Sequence, residues 1–98
     1  MQSQFVFEWT DEAFQQLDSI KKNISQTDRN YLLKLANLLE SMQINPFKGI
    51  GKPEPLKHDY PSCWSRRITR KDRIIYRVER KSIIIISILG HYNDYKIK

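Results

Sequence analysis

All four prolines of this chain, Pro46, Pro53, Pro55 and Pro61, sit in one stretch, and two of its three glycines, Gly49 and Gly51, lie among them. Proline has no backbone N–H and disfavours αR for the residue before it, so no helix crosses this region. The stretch therefore divides the chain. Helices are confined to the part before Pro46, and the part after Pro61 is read on its own terms. A loop this long in a chain of 98 residues is usually functional or disordered. The arginine-rich, strand-like segment directly after it, Cys63 to Arg73, argues for an ordered, basic working surface.

Before the prolines, Phe5–Trp9 has the aromatic and β-branched content of a short strand. Thr10 can cap a helix, with Asp11 and Glu12 in the first turn where carboxylates favour the helix dipole. Phe14, Leu17, Ile20 and Ile24 recur at helical spacing, and Asn23 or Ser25 marks the end of that helix. A second start at Thr27-Asp28 opens a stripe of Tyr31, Leu35, Leu38, Leu39 and Met42, widened by Leu32 and Ala36, which Pro46 stops. Together these read as a helical hairpin whose stripes are core.

After the prolines the period changes to two. Trp64, Arg66 and Ile68 share one face of a strand, and Ser65, Arg67 and Thr69 the other. A turn at Arg70-Lys71-Asp72 leads to a strand with Ile74, Tyr76 and Val78 on one face and Arg73, Ile75 and Arg77 on the other. A second turn at Arg80-Lys81-Ser82 precedes Ile83–Leu89, a near-continuous apolar run suited to a central strand covered on both faces. The expected architecture is α+β in a single domain over 1–98: a small antiparallel sheet with the N-terminal helical hairpin packed on one face.

Charge is segregated along the chain. Residues 1–47 carry 4 basic and 6 acidic side chains, whereas residues 48–81 carry 11 basic and 4 acidic, a net of +7. That distribution predicts a positive face and a polyanionic partner, nucleic acid before acidic protein. Cys63 is the single cysteine, so no internal disulfide forms, which suits a reducing, cytoplasmic setting. No signal-peptide or membrane-spanning pattern is present, no His, Cys and carboxylate pattern has metal-ligand spacing, and no cofactor motif is found.

Several residues have the chemistry to cleave RNA without a metal. A base must take the 2′-OH proton, an acid must protonate the leaving 5′-oxygen, and cations must stabilise the phosphorane-like transition state. Glu54, held between two prolines, is a base candidate, and His91 is the natural acid or base near neutral pH. Lys57, Arg67 and Arg73 supply positive charge, and Trp64, Tyr76 or Tyr92 could stack on a splayed base. Each also has a structural reading: a solvated loop carboxylate, exposed edge-protecting arginines, a core tryptophan, a frayed terminal His-Tyr pair.

These pieces occur together in one known pattern. The run Gly-Lys-Pro-Glu-Pro-Leu-Lys-His at 51–58, Trp-Ser-Arg-Arg-Ile-Thr at 64–69, Asp-Arg-Ile-Ile-Tyr at 72–76 and His91-Tyr92 resemble, in order and spacing, the YoeB/Txe-type toxins of the RelE superfamily. The resemblance spans roughly residues 5–92. It implies a ribosome-dependent, metal-independent mRNA endonuclease, the toxin of a type II toxin–antitoxin pair, acting in the ribosomal A site. It implies Glu54 as base, His91 as acid, Arg73 on the scissile phosphate, and Lys57, Arg67 and Tyr92 in support. The implied partners are a cognate antitoxin, the ribosome and mRNA, with homodimers among family members and no membrane or cofactor. Family members often end at or just after the His-Tyr pair, whereas here residues 93–98 follow and read as a flexible tail. Strict alternation would also put His91 and Tyr92 on opposite faces unless the strand loosens at Gly90. The competing reading is a non-enzymatic toxin on the same fold, such as a gyrase poison or a translation-stalling RNA or ribosome binder.

Overall fold

Thr10 sets where the first helix begins and how it meets the sheet. Its Oγ1 accepts from the Ala13 N–H at 3.1 Å, as an N-cap does, and donates to the Ile86 carbonyl at 2.9 Å. The computed structural model describes residues 5–22, 26–56 and 62–91, with the backbone alone at 26–28 and 91. The elements are β1 (Val6–Trp9), α1 (Asp11–Lys22), α2 (Gln26–Ile44), β2 (Glu54–Pro55), β3 (Cys63–Arg67), β4 (Asp72–Glu79) and β5 (Ser82–His91). The expected helix end at Asn23 or Ser25, the stripe residue Ile24, and Lys57, Tyr92 and the tail 93–98 lie outside the described residues.

The five strands form one sheet in the order β1-β5-β4-β3-β2. The expected meander is β3, β4 and β5, paired antiparallel, with β2 antiparallel to β3. β1 differs: it runs parallel to β5. A parallel neighbour needs a long crossover, which the intervening helices and strands supply. The Ile83–Leu89 run is thereby an interior strand, with β1 on one side and β4 on the other.

Both helices cover one face of the sheet, as the apolar periodicity predicts. Ala13, Tyr31, Leu35, Leu38 and Met42 pack with Ile74, Tyr76, Ile83, Ile85 and Ile88 in one core. Two assignments within the stripes are corrected. Phe14 is 61% exposed, because Ala13, at 0%, is the residue that turns inward with Leu17 and Ile20. Ala36 is exposed on the outer side of α2. The opposite face carries a second, smaller cluster of Leu56, Cys63 and Ile75, with Ile86 against it. This second face, away from the helices and called the open side below, also carries Glu54, Arg67 and Arg73.

Between Ile85 and Gly90, β5 departs from regular pairing. Tyr76 pairs with Ile85, Ile75 with Ser87 and Arg73 with Gly90, so β5 carries extra residues relative to β4. Gln16 of α1 covers the irregularity: its Oε1 accepts from the Ile88 N–H at 2.7 Å and from Ser87 Oγ at 3.2 Å. The irregularity thus lies on the stretch of β5 that leads into Gly90.

Two buried phenols make the fold sensitive to alkali. Tyr31 donates to the Ile88 carbonyl, and burial, reinforced by the negative charge of Asp72, pushes its pKa well above the usual value near 10. Tyr76 is also raised by burial, with Arg66 pulling the other way. A phenol whose pKa is raised on folding contributes stability that is complete below its unfolded pKa and is lost as pH rises above it. The urea midpoint should accordingly hold up to about pH 10 and then fall, less steeply in Tyr31→Phe. A midpoint that stays flat through the phenol titration range would contradict this account.

Candidate functional site

The alternation of β3 puts its residues to two different uses. Cys63, Ser65 and Arg67 face the open side, whereas Trp64 and Arg66 face the helices. β2 and β4 flank β3, and facing residues of an antiparallel pair lie on the same side. Glu54 pairs with Ser65, Ser65 with Ile75, and Arg67 with Arg73. Glu54, Ser65, Arg67 and Arg73 thus form one polar strip across three strands, bordered by the apolar cluster of Leu56, Cys63 and Ile75.

Burial differs sharply along this strip. Arg73 is only 5% exposed, and its Nη1 donates to the fully buried Ser65 Oγ at 3.3 Å. Glu54 is half-buried and Arg67 exposed. A buried guanidinium bonded to a serine, beside a half-buried carboxylate and an exposed second arginine, makes a cationic shelf with, among its described residues, one carboxylate as proton acceptor. Such a shelf suits an anion such as a phosphodiester. Burial also raises the Cys63 thiol above its ordinary value, opposed by Arg77, and the side chain packs in the apolar cluster with Leu56 and Ile75.

The loop before β2 is shaped to deliver Glu54. Gly49 and Gly51 have φ of +133° and +83°, and Lys52 follows at +50°. The Gly51 carbonyl accepts from the Arg67 N–H at 2.7 Å, and the next residues enter the sheet edge as β2. The proline stretch is thus part strand, and Pro55 stands on an edge strand, where its missing N–H is tolerated.

Of the residues singled out in the sequence, the structure brings together Glu54, Arg67 and Arg73. The backbone of His91 pairs with Asp72, and Gly90 with Arg73, so His91 lies at the same end of the sheet one strand beyond Arg73. Trp64 is not brought to this strip. It packs on the helix side, its ring 5.0 Å from that of Phe47. Two residues were missed. Ser65, which holds Arg73, carries no signal of its own. Arg66, the immediate neighbour of Arg67, is fully buried. Its signal was its place on the same face as Trp64 and Ile68. With Arg66 and Arg73 both inside, the positive face is smaller than the charge count implies.

A model of the YoeB-like toxins of bacterial type II toxin–antitoxin systems matches residues 9–92. The chain belongs to this family. The Escherichia coli K12 toxin YoeB is 42% identical over 67 residues, covering 68% of this chain and 80% of that toxin. Among solved structures, a Staphylococcus aureus YoeB dimer superposes with a TM-score of 0.80 at 32% identity, over 92% of this chain and 100% of the other. A heterotetrameric YoeB-YefM toxin-antitoxin complex from the same organism gives 0.78 at 32%, with the same coverage. The family match includes Glu54, Arg67, Arg73 and His91, so the open-face strip lies wholly within the YoeB-like region.

Proposed function

We propose that this YoeB-like toxin is a cytoplasmic, ribosome-dependent mRNA endonuclease that cleaves by acid–base chemistry without a metal. The observation that carries the reading is the placing of Glu54 and Arg73 on one face, on either side of Ser65. Glu54 takes the 2′-OH proton. Arg73, already fixed by Ser65, meets the charge that develops on the phosphate, and Arg67 holds a neighbouring phosphate oxygen. His91 protonates the leaving oxygen, with Lys57 and Tyr92 in support. Trp64 is left out of this site, since it belongs to the helix-side packing. No described helix is long and apolar enough to cross a membrane.

In its type II pair, the toxin is held by an acidic antitoxin segment laid over residues 48–81, and a homodimer is the second assembly to expect. Antitoxin binding should weaken steeply with salt, because the attraction is between opposite net charges. Binding insensitive to salt would count against this surface.

The deciding experiment incubates purified toxin with a defined mRNA, with and without ribosomes, adding EDTA to the free-RNA arm alone, because chelating Mg2+ takes ribosomes apart. Cutting confined to ribosome-bound mRNA, with free RNA left intact in the presence and absence of EDTA, is expected. A folded, growth-arresting toxin that cuts in neither arm would instead favour a non-enzymatic gyrase poison or ribosome binder.

A further inference from the structure

Arg66 is a fully buried cation on the face of β3 away from the proposed chemistry. A guanidinium has five N–H donors, and here each has a bond. Nε donates to Tyr76 Oη at 3.1 Å. Nη1 donates to Ser41 Oγ at 2.8 Å and to the Ile50 carbonyl at 3.2 Å. Nη2 donates to the carbonyls of Asn45 at 2.6 Å and Lys48 at 3.0 Å. None of these five acceptors is a carboxylate, so the arrangement is no ion pair. Three of them are main-chain oxygens of a single loop, and a fourth, from Pro46, is taken by Tyr76 Oη at 2.6 Å.

The loop from Asn45 to Gly51 is thus wound around one cation. Its outgoing arm docks on the neighbours of that same arginine: Gly51 on the Arg67 N–H, then Glu54 beside Ser65. A Cβ on Gly49 would overlap Ser41 Oγ and lie 3.1 Å from Arg66 Nη1, which shows how closely the loop is drawn in.

We infer that Arg66, with Tyr76, is a positioning residue for Glu54: it grips the loop from the helix side and so fixes where the carboxylate emerges on the open side. The inference rests on the proposed role of Glu54. Arg66 cannot touch a substrate bound on the open face and acts only through the loop. Lysine should not replace it, since one ammonium with three donors cannot reach acceptors spread over a planar fork.

The test uses the full chain carrying Arg66→Lys or Tyr76→Phe, at temperatures where melting curves show each variant folded. One readout is hydrogen exchange at the Arg67 amide, whose acceptor is the Gly51 carbonyl. It should quicken roughly tenfold or more while the β4–β5 amides keep their protection, a pattern that a uniform loss of stability does not give. The other is single-turnover cleavage on mRNA-loaded ribosomes. The maximal rate should fall roughly 10- to 100-fold with half-saturation unchanged and the shape of the pH profile kept, because acid and base are the same but misplaced. Parent-like exchange at Arg67, or parent-like cleavage by folded variants, overturns the inference. If the parent itself fails to cut, the role of Glu54 falls. The exchange result then still decides whether Arg66 holds the loop: selective loosening supports the grip, and its absence overturns it.

Discussion

Glu54→Gln is expected to cut ribosome-bound mRNA roughly 10²- to 10⁴-fold more slowly than the parent while melting at nearly the same temperature. The substitution keeps the size and the polar edge of the side chain and removes only its basicity. Glu54 is half-buried on a two-residue edge strand, so little packing depends on it. A loss of this size comes from proton transfer; the same residue read as a solvated loop carboxylate predicts no change in rate. Binding to the ribosome should survive, since the toxin gains rather than loses positive charge. Single-turnover rates at saturating ribosomes, beside a melting curve, separate the cases. Cutting at the parent rate would remove Glu54 from the mechanism. A lower melting point matching the loss of activity would recast it as structural.

Much of this arrangement was legible in the residues themselves. Thr10 announced its cap, the change of period at Trp64 announced the strands, and the alternation along 64–68 and 73–78 assigned faces that the structure keeps, whereas Thr69, past the end of β3, closes the turn to Asp72 instead. These features are local, and each is set by sequence neighbours. What was not legible depends on residues far apart in the chain. Nothing in Val6–Trp9 says that its partner is β5 or that the pairing is parallel. Phe14 and Ala13 compete for the inward position of α1, and the apolar scale favours the wrong one. Ser65 has no motif value until Arg73 is seen across from it. The buried Arg66 is the clearest case. Its position among Trp64 and Ile68 pointed inward, but the general habit of strand arginines pointed outward. What decided the outcome was a set of carbonyls in the Asn45–Ile50 loop that no local pattern reveals. Of the candidate site, residue type singled out Glu54, Arg67 and Arg73 one by one and the resemblance tied them together; the structure sets these three on one face.

Arg66 and Arg67 are adjacent and identical, yet their replacement by methionine should give opposite results. Arg67 is exposed, and its structural bond to Gly51 uses the backbone N–H, which the substitution leaves in place. Arg67→Met should therefore change stability by no more than about 0.5 kcal/mol. If Arg67 holds a phosphate oxygen in the transition state, cleavage should still fall roughly 10²-fold. Arg66→Met removes five charged hydrogen bonds and strands the carbonyls of Asn45, Lys48 and Ile50. Hydrogen bonds to a charged group are each worth about 1.5–3 kcal/mol, so a simple sum would exceed the whole stability of many domains. Two effects cut it down. The substitution relieves the cost of burying a cation, and water can reach the freed carbonyls, because Lys48 and Ile50 are exposed. The net loss should be about 3 kcal/mol, which for a domain of this size lowers the melting temperature by about 12–24 °C. Urea melts of the two variants beside the parent measure both effects. Equal stability of the two would mean that the loop holds its shape without the buried guanidinium. A stable Arg67→Met that still cuts at full rate would take Arg67 off the phosphate, and the division of labour between neighbouring arginines would then rest on Arg66 alone.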